Sequence, residues 1–331
     1  MIVTVTPNPS IDRTLEVPAV RRGEVIRARS ASSEAGGKGI NVARALAVMG
    51  VPTMAIAPAS PATRARLKDL LAGSTPLRTV PIDGEIRVNL SLVEPDGTVT
   101  KVNEPGPTLA ATESATFLDA VVEVVLDALG RGAGAVDGSA AGASTPGHED
   151  WVVGCGSLPP GVSDTFYAGL AERLSRSGAR VAVDADRSAL RAVIGRPIAL
   201  LKPNRAELEE VVGRGLPTLG QVVDAAAELV AGGAEQVLVS LGPDGALIVD
   251  RATACHAEAV IDDVANTVGA GDALLAGFLA AGGGTSALPA AVAWSVAACR
   301  ASGTRMPAVT ARDVAAVIVR PTIDRTRRLA S

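Results

Sequence analysis

The sequence of 331 residues has few of the side chains that commonly bind nucleic acids. Aromatic residues make up 2% of it, and 31 basic against 35 acidic residues give a formal net charge of -4. There are too few aromatic rings to stack bases on a sheet, and no excess of positive charge attracts nucleic acid or an anionic membrane. We therefore expect a small-molecule partner, with no nucleic acid and no membrane.

Histidine and cysteine are also scarce. His148 lies in a glycine-rich stretch and His256 follows Cys255, so neither histidine has metal-site spacing or stands near a G-x-S-x-G nucleophile motif. The three cysteines, at positions 155, 255 and 299, lie far apart, form no C-x-x-C pair and cannot all pair with one another. These counts argue against a zinc site, a hydrolase triad and a disulfide framework.

Long apolar runs and a targeting pattern are missing too. No run reaches 18 apolar residues without a polar or glycine interruption. The first residues, MIVTVTPNPSID, begin as a strand, without a basic region or a cleavable apolar segment. We expect a cytoplasmic protein.

Short apolar segments alternate with longer segments of helical period along the chain. This alternation is typical of βαβ units, and the unbroken apolar segments are typical of strands buried on both faces. The predicted strands are MIVTVT, TMAIAPA, WVVGCG, RVAVDAD, ALLKPN, QVLVSLG and ALIVD, and the predicted helices cover 40–49, 112–129, 164–177, 205–212, 220–232, 272–281 and about 287–302. We predict an α/β fold in a single domain, 1–331: a doubly wound, mostly parallel central sheet with helices on both faces.

Three stretches depart from this alternation. Residues 13–35 and 84–104 alternate polar and apolar side chains, and PDG at 95–97 is a turn signal between two strands. We predict that they form a small β-sheet lid whose other face is covered by a partner subunit or a bound ligand. Residues 130–149 are rich in glycine, alanine and serine, which predicts a flexible insert.

A glycine-rich turn leads into a predicted helix in TVGAGDALLAGFLAA, residues 267–281, where Asp272 follows Gly269, Ala270 and Gly271. Backbone N–H groups at such a helix start form an anion site. Asp272, in the first turn, should be ionised at neutral pH and able to accept a proton from a hydroxyl group. Phosphoryl transfer uses this combination of positioning and charge stabilisation. The alternative is a glycine turn with an aspartate near the helix start, a common capping arrangement.

A second glycine-rich turn precedes a helical pattern in EAGGKGINVARALAVMG, residues 34–50, and brings the ammonium of Lys38 to the helix start. An anionic ligand would meet both backbone donors and this ammonium. The turn is not a Walker A loop, because Ser32 and Gly39 stand where that motif needs glycine and Ser or Thr. The sequence contains no G-x-G-x-x-G, which argues against a nicotinamide-dependent oxidoreductase.

Lysine is rare, which makes its positions informative. Only four lysines occur among the 31 basic residues, and two of them, Lys38 and Lys202, lie inside motifs. A compact ammonium that arginine cannot imitate is one explanation, and chance is the other. Lys202 ends an apolar strand in LLKPNRAELEEVV, residues 200–212, at the strand end where ligands bind in open α/β sheets. Asn204 and Glu207 have the spacing of a capping box.

Six segments occur in order along the chain: TPNPSID, AGGKGINVAR, GSLPPG, LKPNRAEL, VSLGPDGA and NTVGAGD. Together they resemble the PfkB (ribokinase-like) carbohydrate kinase family, and within it the branch that contains 1-phosphofructokinase and tagatose-6-phosphate kinase. The resemblance runs from about residue 3 to residue 318 and leaves out only the insert. It implies a ribokinase-like fold, a lid that often forms a homodimer interface, and phosphorylation of a sugar hydroxyl with ATP and Mg²⁺.

The resemblance also implies roles for individual residues. Asp272 matches the catalytic base, and its anion hole is matched by Gly269, Ala270 and Gly271. The sugar site is matched by Asp12, Gly36, Gly37, Lys38, Asn41, Arg87, Asn89 and Ser157, of which the last three match positions that hold the substrate's existing phosphate. The nucleotide site is matched by Lys202, Asn204, Ser240, Leu241, Gly242, Pro243, Asp244, Gly245, Val264 and Val296. Glu207 matches a residue that orders magnesium through water.

Three positions depart from the family's usual pattern: ASPATR at 59–64, Ile86 before the lid arginine, and DADR at 184–187. The first two adjoin the expected sugar pocket and leave the sugar open. Lys38 and Arg87 supply the charge that a phosphate-bearing substrate needs, so we expect ATP-dependent conversion of fructose 1-phosphate to fructose 1,6-bisphosphate. The alternatives are tagatose 6-phosphate, fructose 6-phosphate or an unphosphorylated sugar as substrate, or a catalytically silent sugar- or nucleotide-binding homologue.

Overall fold

The computed structural model describes residues 1–131, 149–261, 264–301 and 307–330. The predicted insert falls mainly on 132–148 and therefore lies outside the described residues. The described strands form one sheet of ten strands and one of four. They are Ile2–Val5 (β1), Ser10–Glu16 (β2), Ser30–Gly36 (β3), Thr53–Ala59 (β4), Leu77–Pro81 (β5), Arg87–Val93 (β6), Val99–Asn103 (β7), Trp151–Cys155 (β8), Arg180–Asp184 (β9), Ile198–Leu201 (β10), Ala234–Ser240 (β11), Ala246–Asp250 (β12), Ala254–Glu258 (β13) and Ile318–Arg320 (β14).

The larger sheet has the strand order β14-β13-β12-β11-β10-β9-β8-β1-β4-β5. Among the described strands, the seven from β11 to β5 pair in parallel, and β12, β13 and β14 extend the sheet antiparallel. Alternate side chains of β1 point to opposite faces of the sheet: Val3 and Val5 pack in the core on one face, and Ile2 packs in the core on the other face. The predicted mostly parallel sheet, buried on both faces, is confirmed.

The helices lie in two layers over this sheet. Apolar side chains of α1, α8 and α9 pack on one face, and those of α3, α4, α5 and α7 pack on the other, as a doubly wound fold requires. The described helices are Lys38–Val48 (α1), Pro61–Leu71 (α2), Ala111–Ala128 (α3), Phe166–Leu174 (α4), Arg187–Ala192 (α5), Arg205–Val212 (α6), Leu219–Ala231 (α7), Ala270–Ala280 (α8), Leu288–Arg300 (α9) and Ala311–Ala315 (α10). None of these described helices is long and apolar enough to cross a membrane.

The smaller sheet has the order β3-β2-β6-β7 and comes from the two stretches with polar and apolar alternation. Its strands begin earlier than predicted, because β2 starts at Ser10, and they extend to Gly36 at the end of β3. Ile11, Ala35 and Ile86 pack with residues of β4 and α2, which attaches this sheet to one end of the body. Its function as a lid and its place in a dimer remain predictions.

Several elements were not predicted from the sequence. Helix α2 occupies the ASPATR segment, where Ser60 caps the helix by accepting the N–H of Thr63, and Pro61 stands at the first helical position. The sequence pattern did not predict this helix because its apolar periodicity is weak: only Thr63, Leu67 and Leu71 are buried. The strands β5, β13 and β14 and the short helices α5 and α10 were missed as well.

Candidate active site

Helix α8 carries the predicted base at its amino end. The helix begins after Gly269, which has the left-handed φ of 81° that favours glycine, and Asp272 lies in the first turn with 9% exposure. The side-chain amide of Asn41, on α1, donates to Asp272 Oδ2 at 2.9 Å. The N–H of Ala270 donates to Thr267 O at 3.3 Å, a long bond. The structure therefore brings Asp272, Asn41 and the glycine turn together.

Burial sets the ionisation of Asp272. Burial and the charge of Asp184 raise its pKa to about 6, against the hydrogen bond from Asn41 and the charges of Lys38 and Lys202. The sequence predicted an anion stabilised by the helix dipole, so the direction of the pKa shift is the opposite of that expectation. A pKa of about 6 still leaves about nine-tenths of the carboxyl groups ionised at pH 7.

A second buried carboxylate, Asp184, lies beside this helix start and joins two lysines. Lys38 Nζ lies 3.0 Å from Asp184 Oδ1, and Lys202 Nζ lies 2.9 Å from Asp184 Oδ2. Asp184 is 1% exposed, and burial opposes its ionisation, but the two ammonium groups outweigh burial and lower its pKa. Gly271 adjoins the same cluster, since a Cβ atom there would lie 3.7 Å from Lys202 Nζ.

The ammonium of Lys38 was expected to face an anionic ligand, but carboxylates of the protein itself surround it. Besides Asp184, Lys38 Nζ lies 3.4 Å from Asp186 Oδ1 and 3.7 Å from Glu207 Oε1. Burial disfavours the ammonium, but these three carboxylates raise the pKa of Lys38. Its charge is therefore compensated within the protein, and less of it is available to a substrate phosphate.

Asp184 was missed as a site residue because DADR was considered only for its departure from the family pattern. A usable signal was present in the sequence. Asp184 is the last residue of the apolar strand β9, and Lys202 directly follows the apolar strand β10. Neighbouring parallel strands bring such residues to the same edge of the sheet, where ligands bind in open α/β folds. The pairing of Leu201 with Val183 brings their following residues side by side.

The predicted sugar-binding residues of β2 and β6 face each other in register. Ser10 pairs with Arg87 and Asp12 pairs with Asn89. The amide of Asn89 donates to Asp12 Oδ1 at 2.9 Å, and the Ser10 hydroxyl donates to the same oxygen at 2.7 Å. Burial lowers the pKa of Arg87, against the attraction of Asp12 and Asp186.

Gly36, at the end of β3, makes room for this cluster. A Cβ atom on Gly36 would lie 2.3 Å from Cγ and Oδ2 of Asp12, a distance that no side chain tolerates. Gly37, the next residue, has a φ of 115° and precedes Lys38 at the start of α1. The two glycines therefore join β3 to α1 beside Asp12 through a turn without side chains.

Unpartnered polar atoms gather in this region. Asn8 is 3% exposed, and its amide donates to Pro105 O at 3.0 Å and to Ser157 Oγ at 3.4 Å. Within the described part of the chain, buried polar atoms without a hydrogen-bond partner include Asn8 Oδ1, Asn41 Oδ1, Arg87 Nε and Asn89 Oδ1. Buried polar groups in proteins are normally hydrogen-bonded, so this concentration indicates a polar ligand site. Asn8 was not predicted.

The predicted nucleotide residues follow β10 and β11. Asn204 and Glu207 form the predicted capping box at the start of α6: each side chain accepts the other residue's backbone N–H at 2.8 Å. Ser240 N donates to Pro203 O at 3.2 Å, which places the turn at 240–245 beside the residues that follow Lys202. The turn joins two antiparallel strands, as predicted.

The other predicted nucleotide residues are placed less uniformly. Leu241 is buried, and the carboxylate of Asp244 is bonded within the protein. Val264 is exposed, and Val296, on α9, is partly buried against the core. The loop after Val264 contacts the end of α9, because the N–H groups of residues 265 and 266 donate to Cys299 O.

Comparison with known proteins gives the family. The pfkB family of carbohydrate kinases matches residues 137–310, more than half of the chain. A 1-phosphofructokinase of Rhodobacter capsulatus is 36% identical over 281 residues, which cover 84% of this chain and 82% of that protein. The chain belongs to the PfkB family. It is therefore a phosphotransferase whose acceptor is a sugar hydroxyl, of the phosphofructokinase type.

Two further relatives of this PfkB protein support the assignment. An ATP-dependent 6-phosphofructokinase isozyme 2 of Mycobacterium tuberculosis is 35% identical over 278 residues, which cover 83% of this chain and 76% of that protein. The crystal structure of phosphofructokinase-2 from Escherichia coli with potassium has a TM-score of 0.80 at 32% identity, and the match covers 95% of this chain and 96% of that one. The predicted ribokinase-like fold is confirmed.

Sugar kinases of this family use ATP, typically with Mg²⁺, and the residues present fit that metal. The described residues contain no group of three or more His, Cys, Asp or Glu that could hold a metal ion alone. Mg²⁺ keeps several waters and needs only one or two carboxylates besides phosphate oxygens. Glu207 offers one such carboxylate: its side chain is 15% exposed, and Oε1 lies 3.7 Å from Lys38 Nζ. Burial raises the pKa of this carboxyl, and a bound cation would favour its ionised form.

Proposed function

We propose that this PfkB protein transfers the terminal phosphoryl group of ATP to the free primary hydroxyl of fructose 1-phosphate, giving fructose 1,6-bisphosphate and ADP. The observation that carries the proposal is the arrangement of Asp272: a buried carboxylate at a helix start, held by Asn41, with a pKa of about 6. The 36% identity to a 1-phosphofructokinase over most of both chains supports the choice of sugar.

In the proposed reaction Asp272 is the general base. Its ionised carboxylate accepts the proton of the sugar hydroxyl as the bond between the sugar oxygen and the γ-phosphorus forms and the bond from that phosphorus to ADP breaks. Asn41 holds one carboxylate oxygen and so orients the other toward the acceptor. The turn from Gly269 to Gly271 presents backbone N–H groups to the charge on the transferred group.

The remaining residues hold the two substrates. Asp12 and the free amide oxygen of Asn89 accept hydrogen bonds from sugar hydroxyls, while Arg87 and Ser157 bind the existing phosphate. Lys202 and the turn at 240–245 hold the nucleotide. Glu207 would hold Mg²⁺ through water, and the metal would neutralise charge on the phosphates. Asp184 contacts Lys38 and Lys202 and fixes both side chains at the boundary between the two sites.

A second substrate, fructose 6-phosphate, is favoured by a separate observation. The 35% identity to an ATP-dependent 6-phosphofructokinase covers nearly as much of this chain as the match to the 1-phosphofructokinase. Both sugars carry one phosphate and one free primary hydroxyl, so Arg87 and Asp12 serve either. What differs between them is which end of the sugar lies at Asp272.

A sugar panel tests the proposal. ADP release from ATP and Mg²⁺ is measured with fructose 1-phosphate, fructose 6-phosphate, tagatose 6-phosphate, fructose and ribose, each over a range of concentrations. We expect the highest kcat/KM with fructose 1-phosphate. A higher value with fructose 6-phosphate or tagatose 6-phosphate would replace the substrate and leave the mechanism standing, and a higher value with free fructose or ribose would refute a phosphosugar site.

A further inference from the structure

The carboxyl-terminal segment, residues 324–330, packs against the turn that is predicted to hold the nucleotide. The turn at 240–245 contains Asp244, which is 8% exposed. Two groups of the segment bind its carboxylate: Arg327 Nη2 donates to Asp244 Oδ1 at 3.0 Å, and Ala330 N donates to Asp244 Oδ2 at 2.7 Å. The carboxylate therefore faces the segment and both its oxygens are engaged within the chain.

Arg327 also ties this turn to the neighbouring strand. Its Nη1 donates to Glu258 Oε2, at the end of β13, at 2.6 Å. His256, on the same strand, contacts the backbone carbonyl of Asp244 through Nε2 at 2.7 Å. At Gly245 a Cβ atom would lie 2.1 Å from Ala257 O, so the turn is pressed directly against β13. The turn is thus held from β13 and from the carboxyl-terminal segment together.

The segment is itself fixed to α6, to the start of α7 and to the loop between them. The N–H of Leu219, at the start of α7, donates to Arg327 O at 2.9 Å, and Leu329 N donates to Pro217 O at 3.1 Å. Arg205, in the first turn of α6, donates from Nη1 to Ala330 O at 2.7 Å. One short segment therefore contacts both halves of the proposed nucleotide site: α6, which follows Lys202, and the turn at 240–245.

The bonds of Arg327 are not those of an ordinary surface ion pair. Exposed pairs contribute little to stability, and Arg325, two residues away, makes such a pair with the exposed Asp224. Arg327 instead joins two carboxylates with 11% and 18% side-chain exposure. Arg320 also pairs with Glu258, at 3.3 Å, whereas Arg327 is the cation paired with Asp244. Loss of Arg327 leaves the buried carboxylate of Asp244 with the Ala330 N–H alone, and the turn is then held mainly from β13.

We propose that Arg327 is a positioning residue of the nucleotide site: by holding Asp244, it fixes the turn at 240–245 in the conformation that binds ATP. This inference rests on the proposed function, because it assigns that turn to the nucleotide. Arg327 lies beyond residue 310, where the family match ends, and outside the six motifs.

Arg327→Ala tests the inference, with Arg325→Ala as the matched control from the same segment. Steady-state kinetics are measured for both variants and the wild type, with ATP varied at saturating sugar and the sugar varied at saturating ATP. We expect Arg327→Ala to raise the KM for ATP roughly tenfold, the scale of losing a hydrogen bond to a charged group. The KM for the sugar and kcat should change less than about twofold, and Arg325→Ala should leave all three constants unchanged.

Thermal unfolding of the same proteins separates positioning from simple stabilisation. A lower melting temperature of Arg327→Ala, with an unchanged KM for ATP, would overturn the inference. If Arg327→Ala does not fold, Arg327→Lys gives the answer, because lysine reaches one carboxylate at a time and should raise the KM for ATP by a smaller factor. A wild type without ATP-dependent turnover refutes the proposed function instead, so the two failures are distinguishable.

Discussion

Two buried carboxyl groups, Asp272 and Asp184, have pKa values shifted in opposite directions because their immediate neighbours differ. Both are nearly inaccessible to water, and burial disfavours the ionised form of each. Asp184 contacts two ammonium groups directly, so its pKa falls below the usual value. Asp272 receives one neutral hydrogen bond, from Asn41, and feels the charge of Asp184, so its pKa rises to about 6. Only Asp272 therefore has the basicity for taking a proton near neutral pH.

Replacement of this base tests its role. We expect Asp272→Asn to lower kcat about 10²-fold or more, because the amide cannot accept the hydroxyl proton. The KM values for ATP and the sugar should change little, because the shape of the site and the bond from Asn41 are retained. Steady-state kinetics with both substrates varied gives all three constants.

The control for this variant is Asp313→Asn, which changes an aspartate in the first turn of α10 that is bonded to Thr310 and to none of the site residues named above. Its kinetics should equal those of the wild type. For the wild type itself, kcat should fall as pH drops below about 6, because Asp272 is then protonated. Full turnover by Asp272→Asn would place the base elsewhere.

The raised pKa of Asp272 also predicts a cost in stability. Its carboxyl has a pKa of about 6 in the folded protein and 3.8 as reference, so the folded state binds the proton more tightly. The contribution of Asp272 to the free energy of unfolding is therefore greatest below about pH 4 and is lost as pH rises to about 6, a change of up to about 3 kcal/mol. Asp272→Asn lacks this cost, and we expect its unfolding free energy to exceed that of the wild type at pH 7.

Guanidinium chloride unfolding of both proteins at several pH values between 4 and 8 measures this difference. The advantage of Asp272→Asn should be small near pH 4 and should grow until about pH 6, then remain constant. An equal difference at all pH values would mean that shape, and not ionisation, distinguishes the two side chains. A wild type that gains on the variant as pH rises would contradict the raised pKa.

At the scale of the elements, apolar patterning predicted the body of the fold because burial dictates it. All seven predicted helices and all seven predicted strands of the body are present within a few residues. The capping box at the start of α6 was predicted in detail, since Asn204 and Glu207 interact within one turn. Elements with weak periodicity were missed: α2 buries three residues, and none of the residues of the edge strand β14 is buried.

Parts of the candidate site were beyond sequence reasoning for a related physical reason. The partners of Lys38 are 146, 148 and 169 residues away along the chain, and no local pattern reveals such contacts. The sequence placed Lys38 correctly at a helix start but could not show the three carboxylates around it. The contact of the carboxyl-terminal segment with the turn at 240–245 could not be predicted for the same reason, because Arg327 and Asp244 are brought together only by the tertiary fold.

At the scale of the whole molecule, each of the two sheets contributes different residues to the proposed active site. The body contributes Asp184, Lys202 and Asp272 at one edge of the central sheet, while β2 and β6 contribute Asp12 and Asn89 from the smaller sheet. Alternate residues of a strand point to opposite faces. The face that bears Asp12 and Asn89 is polar. The residues between them along β2 and β6 lie on the opposite face of the sheet.

That opposite face of the smaller sheet is largely apolar, and the exposed Arg13 on β2 lies opposite Leu90. Leu92 lies opposite Leu15 on β2, and Leu90 lies opposite Val102 on β7, which is 54% exposed. The leucines are only partly buried in the single chain. A partly exposed apolar face on a sheet is a liability unless something covers it. We propose that a second copy of the chain covers this face, which would join two lids into a homodimer.

Leu92→Asp tests this dimer. A carboxylate on the apolar face would be buried without a partner in the dimer, so the variant should be monomeric where the wild type is dimeric. Analytical ultracentrifugation over a range of concentrations measures the mass of each. The control is Val319→Asp, on β14 at the opposite edge of the central sheet, which should remain dimeric. Dissociation by Val319→Asp with a dimeric Leu92→Asp would instead mean that the subunits join along the edge of the central sheet, and a monomeric wild type would remove the dimer altogether.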